Sequence, residues 1–181
     1  RVRVVMPWME GELGPVVNPR QKARVEGYQK LAEDDGLPLL AQGQLSPELS
    51  DTGYFVTPRM YGPVPADHRL ACEEIFGPVL SVIPFDDEDD AVRIANDVNF
   101  GLAAGIWTEN LARGIRMTEK VRAGTIWVNN YRSTSTTSPF GGFKMSGIGR
   151  EGGIAGIMEY LELKSVWIST NVEIPNPFIR R

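Results

Sequence analysis

The stretch Val79-Leu80-Ser81-Val82-Ile83-Pro84-Phe85-Asp86-Asp87-Glu88-Asp89-Asp90-Ala91-Val92-Arg93-Ile94-Ala95-Asn96 decides the fold class. Val79–Phe85 is an apolar run with the look of a strand buried on both faces. An unbroken acidic run, Asp86 to Asp90, follows it, and then Ala91, Ile94, Ala95 and Val98 recur at helical spacing. Acids in the first turn of a helix meet the positive end of its dipole, so the run reads as a helix start rather than a cation site. The alternation continues downstream. Asn99 and Gly101 end the helix, and Leu102–Trp107 reads as a second buried strand. A helix from about Thr108 would turn Leu111, Ile115, Thr118 and Val121 inward, with Gly124 at its C-terminal cap. Thr125–Asn129 is a third strand, Ile154–Leu163 a last helix and Ser165–Ser169 a last strand. This order predicts an α/β fold, a parallel-strand layered sheet with flanking helices.

Upstream, Asn18 can cap a helix whose first position is Pro19 and whose stop is Gly36. Val25, Tyr28, Leu31 and Ala32 share its inner face. Tyr54-Phe55-Val56-Thr57 reads as a short strand ended by Pro58. The tail, with Pro175 and Pro177, reads as an arm or an edge outside the core.

Composition narrows the function. The chain has 181 residues, with 19 Lys and Arg against 23 Asp and Glu, which gives no basic stripe for nucleic acid. The longest charge-free stretch, Gly36–Pro47, is 12 residues, and a membrane span needs roughly 20 apolar ones. One cysteine and one histidine exclude an internal disulfide framework and two-histidine metal motifs within this chain, so no metal site is expected. No signal peptide is visible at Arg1, and a reducing, cytoplasmic setting is expected.

Gly147-Ile148-Gly149-Arg150-Glu151-Gly152 matches the dinucleotide fingerprint, but that motif should leave a buried strand directly, and Thr125–Asn129 ends far before it. The alternative is a loop whose glycines permit positive φ. Cys72 stands beside Glu73 and Glu74, which suppress a thiolate, so it reads as a structural cysteine. His68, between Asp67 and Arg69, reads as a solvated surface residue. Glu73-Glu74-Ile75-Phe76-Gly77-Pro78-Val79 is more informative, because a carboxylate at a strand entrance can accept ribose hydroxyls and an aromatic two residues on can pack on a flat ring. A plain strand lead-in explains it equally well.

Four blocks carry a resemblance: Glu73–Val79 (EEIFGPV), Ala95–Leu102 (ANDVNFGL), Gly124–Asn129 (GTIWVN) and Pro139–Glu151 (PFGGFKMSGIGRE). In this order and approximate spacing they resemble the NAD(P)-dependent aldehyde dehydrogenase superfamily, over about Gly14 to Ser169. The resemblance implies the C-terminal portion of such an enzyme, with a partial catalytic domain over residues 1–163 and an oligomerisation strand and tail over 164–181. The NAD(P)-binding domain, the general-base glutamate and the nucleophilic cysteine of the family have no counterpart here, so no catalytic residue is expected in this chain, and the isolated chain is expected to be inactive.

The resemblance further implies site residues. Glu74 matches the glutamate that holds the nicotinamide ribose, and Phe76 the aromatic beside the nicotinamide. Gln21 and Arg24 fall where the family touches the adenosine ribose. Asn129, Tyr131 and Phe140 fall where the aldehyde tunnel is lined, with Arg132–Thr137 at its mouth. The implied cofactor is NAD or NADP, the implied substrate a small aldehyde, and the implied partner a second subunit paired through Ser165–Ser169. The family's reaction is attack of a cysteine thiolate on the aldehyde, hydride transfer to NAD(P)⁺ and hydrolysis of the thioester. The alternative is a non-catalytic oligomerising or binding module of the same fold.

Overall fold

Asn18 starts the first long helix as its side chain dictates. In the computed structural model, which describes residues 2–7, 10, 13–49, 53–170 and 178, β1 (Arg3–Val4) is followed by α1 (Pro19–Asp34). The Asn18 side chain accepts the Gln21 amide at 2.8 Å, and Pro19 occupies the first turn, where no N–H is needed. Gly36, at φ 69°, carries the chain away. Val25, Tyr28 and Ala32 are buried on the predicted face, and Leu31 packs against them.

β2 (Leu39–Gln42), β3 (Gln44–Leu45), β4 (Arg59–Tyr61), α2 (Arg69–Cys72) and β5 (Val79–Ser81) come next. β1 pairs parallel with β3. β4 is central, antiparallel to β2 and parallel to β5, with Arg59 opposite Val79 and Tyr61 opposite Ser81. The expected strand at Tyr54–Thr57 is a correction. That segment crosses the core as extended chain, with Phe55 and Val56 buried and the Tyr54 carbonyl accepting Val16 N–H at 2.9 Å. The ladder begins after Pro58, which has no N–H to give it. The core lies between α1, this crossing segment, β4 and α2: Val25, Tyr28, Ala32, Val56, Tyr61, Val64, Leu70 and Ile75 form one cluster. Each Val, Leu or Ile side chain of this cluster contributes about 1.5–3 kcal/mol on full burial.

The second half holds α3 (Glu88–Asn96), β6 (Phe100–Gly101), β7 (Ala103–Ile106), α4 (Leu111–Lys120), β8 (Thr125–Val128), β9 (Phe143–Lys144) and α5 (Gly153–Met158). The acidic run does open α3: Asp87 caps it by accepting Asp90 N–H at 2.9 Å. The same acids tie α3 to α4, since Glu88 takes Arg113 and Arg116, and Asp89 takes Lys120 at 2.8 Å. Lys144 Nζ donates to the Asn96 and Val98 carbonyls at 2.7 and 2.8 Å and so closes the C-terminal end of α3.

The α/β class holds, and all three of the pairs β1–β3, β4–β5 and β7–β8 are parallel. The layered sheet differs from a continuous one: among the described residues the strands form four separate sheets, one of three strands and three of two. The inner face of α4 differs in part, although Val121 at its end is buried as expected. Leu111 and Ile115 stay 67% and 53% exposed, because α4 meets β8 through the buried Gly114, where an added methyl would come within 2.9 Å of Val128. Gly124 is no helix cap, since α4 ends at Lys120; it is needed because a side chain there would overlap the Gly141 carbonyl. The last helix stops at Met158. The strand expected at 165–169 has no ladder among the described residues, and Trp167 is 94% exposed. Pro175 and Pro177 lie outside the described residues. No described helix is long and apolar enough to cross a membrane.

Candidate functional site

The lead-in to β5 is assembled on the surface of α1. Residues 21, 24 and 28 lie at spacings of 3 and 4, which places them on one stripe of the helix. Gln21 Nε2 donates to the Ile75 carbonyl at 2.8 Å and to the Phe76 carbonyl at 2.7 Å. Arg24 donates to the Glu74 carbonyl, and the Tyr28 hydroxyl donates to the Glu73 carboxylate. Four consecutive residues are thus held by three side chains of one helix. Gly77 permits the close approach, because a methyl there would overlap Val25 on α1.

The two adjacent glutamates have opposite fates. Glu73 is fully engaged: Arg69, one turn earlier, forks onto it with bonds of 2.9 and 3.1 Å, and Tyr28 adds a third. The Arg69 fork and then the Tyr28 hydroxyl hold the Glu73 carboxyl at about 2. Burial, and then the bond to Glu73, raises the Tyr28 phenol. Both guanidinium groups stand near the Tyr28 ring, Arg24 at 5.3 Å and Arg69 at 5.6 Å from its centre. Glu74 is exposed, and its carboxylate makes no hydrogen bond among the described residues. Ile75 between them is buried in the core, and Phe76 beyond it is 75% exposed at φ 55°. A positive φ at a bulky residue is costly and persists where the surroundings fix it. Here the core anchor of Ile75 and the Gln21 amide fix it.

The structure therefore brings Gln21, Arg24, Glu74 and Phe76 together. It places Asn129 and Tyr131 elsewhere, at the end of β8. The Asn129 amide bonds the Thr108 backbone on both its N–H and C=O, at 2.8 and 2.7 Å. Tyr131 is 64% exposed and meets Trp127 edge-on, with ring centres 5.5 Å apart. Phe140 sits further along and pairs backbone to backbone with Glu151, both bonds at 2.7 Å. Among the described residues no hydrogen bond or ring contact joins these three to the Glu74–Phe76 segment.

Other candidates fall away on geometry. Cys72 donates its thiol to the Ala66 carbonyl at 3.1 Å, and burial, then Asp67, Asp97 and Glu73, push it up. A nucleophile needs a thiolate, and these neighbours oppose one. His68 caps α2, where its Nδ1 accepts Leu70 N–H, and its Nε2 meets Asp35 at 3.0 Å. The Gly147–Gly152 motif follows a two-residue antiparallel strand, β9, and opens a six-residue helix, so the strand-to-helix turn of a dinucleotide fingerprint is not met. Gly147, Gly149 and Gly152 do take positive φ, as a loop of this kind requires. Sequence reasoning missed Glu73, Tyr28 and Arg69. The available signals were the four-residue spacing of Arg69 and Glu73 and the place of Tyr28 on the α1 stripe.

The sequence pattern of the Aldehyde dehydrogenase family matches residues 2–166. The chain belongs to the aldehyde dehydrogenase family. Among its relatives, betaine aldehyde dehydrogenase of Brucella anthropi is 41% identical over 181 residues, covering 98% of this chain and 37% of the relative. That of Mesorhizobium japonicum is 43% identical over 171 residues, covering 93% and 35%. The solved aldehyde dehydrogenase of Mycobacterium tuberculosis complexed with NAD⁺ superposes with a TM-score of 0.85 at 39% identity, covering 96% of this chain and 36% of that one. Betaine aldehyde dehydrogenase of Staphylococcus aureus in complex with NAD⁺ gives 0.89 at 31% identity, covering 99% and 37%. The chain thus spans little more than a third of the length of these relatives.

Proposed function

We propose that this chain supplies the cofactor-facing wall and the substrate-tunnel lining of an NAD(P)⁺-dependent aldehyde dehydrogenase, as the later part of its catalytic domain. The carrying observation is the division of labour between the two glutamates: Glu73 is fully bonded, while Glu74 is exposed with its carboxylate unengaged, two residues from an exposed, fixed phenyl ring. An unengaged carboxylate accepts two hydroxyl donors, as a ribose diol offers, and a ring face accepts a flat heterocycle. These groups fit the ribose and nicotinamide end of the cofactor, which when bound supplies the hydride acceptor.

In this reading Glu74 orients the nicotinamide ribose and Phe76 packs beside the nicotinamide, on the helix surface that carries Gln21 and Arg24. Asn129, Tyr131 and Phe140 line the aldehyde's approach. Orientation of this kind lowers the barrier by removing unproductive poses. The thiolate that attacks the aldehyde comes from outside this chain, since the Cys72 thiol is bonded to the Ala66 carbonyl and its surroundings oppose ionisation. Residues 165–169, exposed and in no ladder among the described residues, pair with a second subunit. A cytoplasmic setting fits the free Cys72.

The test is a chimaera in which these 181 residues replace the matching third of the Brucella anthropi enzyme. It should form NADH from betaine aldehyde, and Glu74→Gln should raise KM for NAD⁺ roughly 10- to 100-fold with the aldehyde KM little changed. A folded, active chimaera indifferent to Glu74→Gln would overturn the reading.

A further inference from the structure

Past β8 the chain turns through a short, tied loop, and Arg132 stands in it. We propose that Arg132 reads a carboxylate carried by the aldehyde at the end remote from its C=O, so that the substrate class is a semialdehyde, and that Trp127 is the positioning residue that holds the loop for it. This rests on the reading of Asn129, Tyr131 and Phe140 as the lining of the aldehyde's approach.

The loop is held on both sides of this residue. The Asn130 Oδ1 accepts Tyr131 N–H at 2.7 Å, and the Asn130 carboxamide meets the Ser133 hydroxyl at 2.7 and 3.0 Å. Trp127 on β8 donates its indole N–H to the Ser133 carbonyl at 2.8 Å and packs against the Tyr131 ring. Arg132, between these two held neighbours, stands at φ 60°, in the left-handed region. A long side chain keeps that conformation only where its surroundings over-determine it, and such strain gathers at ligand clamps.

The charge around Arg132 favours an anion. The chain carries net −4, yet from Lys120 to Arg150 it has no Asp or Glu and holds Lys120, Arg122, Arg132, Lys144 and Arg150. Lys120 is spent on Asp89, Lys144 on the Asn96 and Val98 carbonyls, and Arg150 on the Gly142 and Gly149 carbonyls. Arg132 is exposed, with no hydrogen bond or ion pair among the described residues. A guanidinium fork matches a carboxylate with two parallel bonds. Ser133–Ser138 beyond it are all hydroxyl residues, which add polar partners and no ring. A trimethylammonium group is held by aromatic faces, and the only ring this loop offers, Tyr131, stands next in sequence to a charge of the same sign. A single guanidinium balances a carboxylate but not a phosphate dianion.

The sign of the charge supplies the test. In the chimaera described above, kcat/KM is measured for succinic semialdehyde, butanal and betaine aldehyde. Arg132→Gln should lower the ratio of succinic semialdehyde to butanal roughly 10- to 100-fold and raise the ratio of betaine aldehyde to butanal. A merely structural role would move all three substrates together. Trp127→Phe keeps a ring but loses the N–H; it should lower the first ratio in the same direction and add little once Arg132→Gln is present. Ratios unchanged by Arg132→Gln would overturn the proposal, and the cofactor wall would stand as long as butanal is oxidised. A preference for glyceraldehyde 3-phosphate over succinic semialdehyde would overturn the carboxylate.

A second measurement needs no catalysis and uses the 181-residue chain itself. On titration with succinate, the Arg132 Nε–H and the Trp127 indole N–H resonances should shift, and uncharged succinamide should move neither. No shift at Arg132, or an equal one at Arg122 between α4 and β8, would overturn the proposal. A shift confined to Arg132 and Trp127, together with a folded chimaera that oxidises none of the aldehydes, would leave the carboxylate site standing and remove the tunnel reading instead.

Discussion

The Asn129 carboxamide docks on the backbone of Thr108: its Oδ1 accepts Thr108 N–H at 2.8 Å and its Nδ2 donates to the Thr108 carbonyl at 2.7 Å. The side chain thereby continues the β7–β8 pairing past Ile106 and Val128, the last residues in register. Asn129 itself stands at φ 51°, a conformation that Asn tolerates better than most residues. Asn129→Asp keeps the acceptor and loses the donor, and should lower stability by about 0.5–1.5 kcal/mol. Thermal melts of the two proteins would show it. A change confined to aldehyde KM, with stability intact, would make Asn129 a substrate contact first.

Glu73 gives a pH test. Its carboxyl lies at about 2, against an ordinary value of 4.5, because Arg69 and Tyr28 bond the charged form. A lowered pKa of this kind contributes stability that is complete above 4.5 and is lost as the pH falls through 2. A carbon-detected titration of Glu73 should find its midpoint near 2, and Tyr28→Phe should move it upward. A midpoint at the ordinary 4.5 would contradict the bonding seen here.

Gly77 tests the seat of the segment. A methyl group at this position would overlap Val25, which is fully buried on α1. Gly77→Ala should cost about 1–3 kcal/mol by overpacking. The cost should shrink in a Val25→Ala background, because the smaller residue leaves room. Equal costs in both backgrounds would mean that the contact is not what makes Gly77 necessary.

Cys72 should be dispensable. Its thiol bonds the Ala66 carbonyl, and its surroundings oppose ionisation. In the chimaera, Cys72→Ala should leave turnover within about twofold, as most substitutions away from a site do. Loss of the acyl-enzyme step in that variant would make it the nucleophile.

Much of this architecture is readable from local chemistry. Asn18, Pro19 and Gly36 mark both ends of α1 without reference to anything distant, and the acids from Asp87 announce the start of α3. What escapes the sequence depends on partners far along the chain. Tyr54–Thr57 has the composition of a strand, yet whether it joins a ladder depends on which segment lies beside it. Leu111 and Ile115 have helical spacing, but the contact that orients α4 is made by Gly114, which carries no side chain to signal it. At the site, the resemblance singles out Glu74 and Phe76, but residue chemistry alone does not tell two neighbouring glutamates apart. Only the position of Tyr28 and Arg69 around Glu73 separates them.

The most direct measurement is a crystal structure of the chimaera with NAD⁺ bound. The Glu74 carboxylate should lie about 2.5–3.0 Å from the nicotinamide ribose hydroxyls, with the Phe76 ring beside the nicotinamide and Gln21 still bonded to the Ile75 and Phe76 carbonyls. A bound cofactor whose ribose is held by other residues, with Glu74 facing solvent, would contradict the assignment of this surface as the cofactor wall.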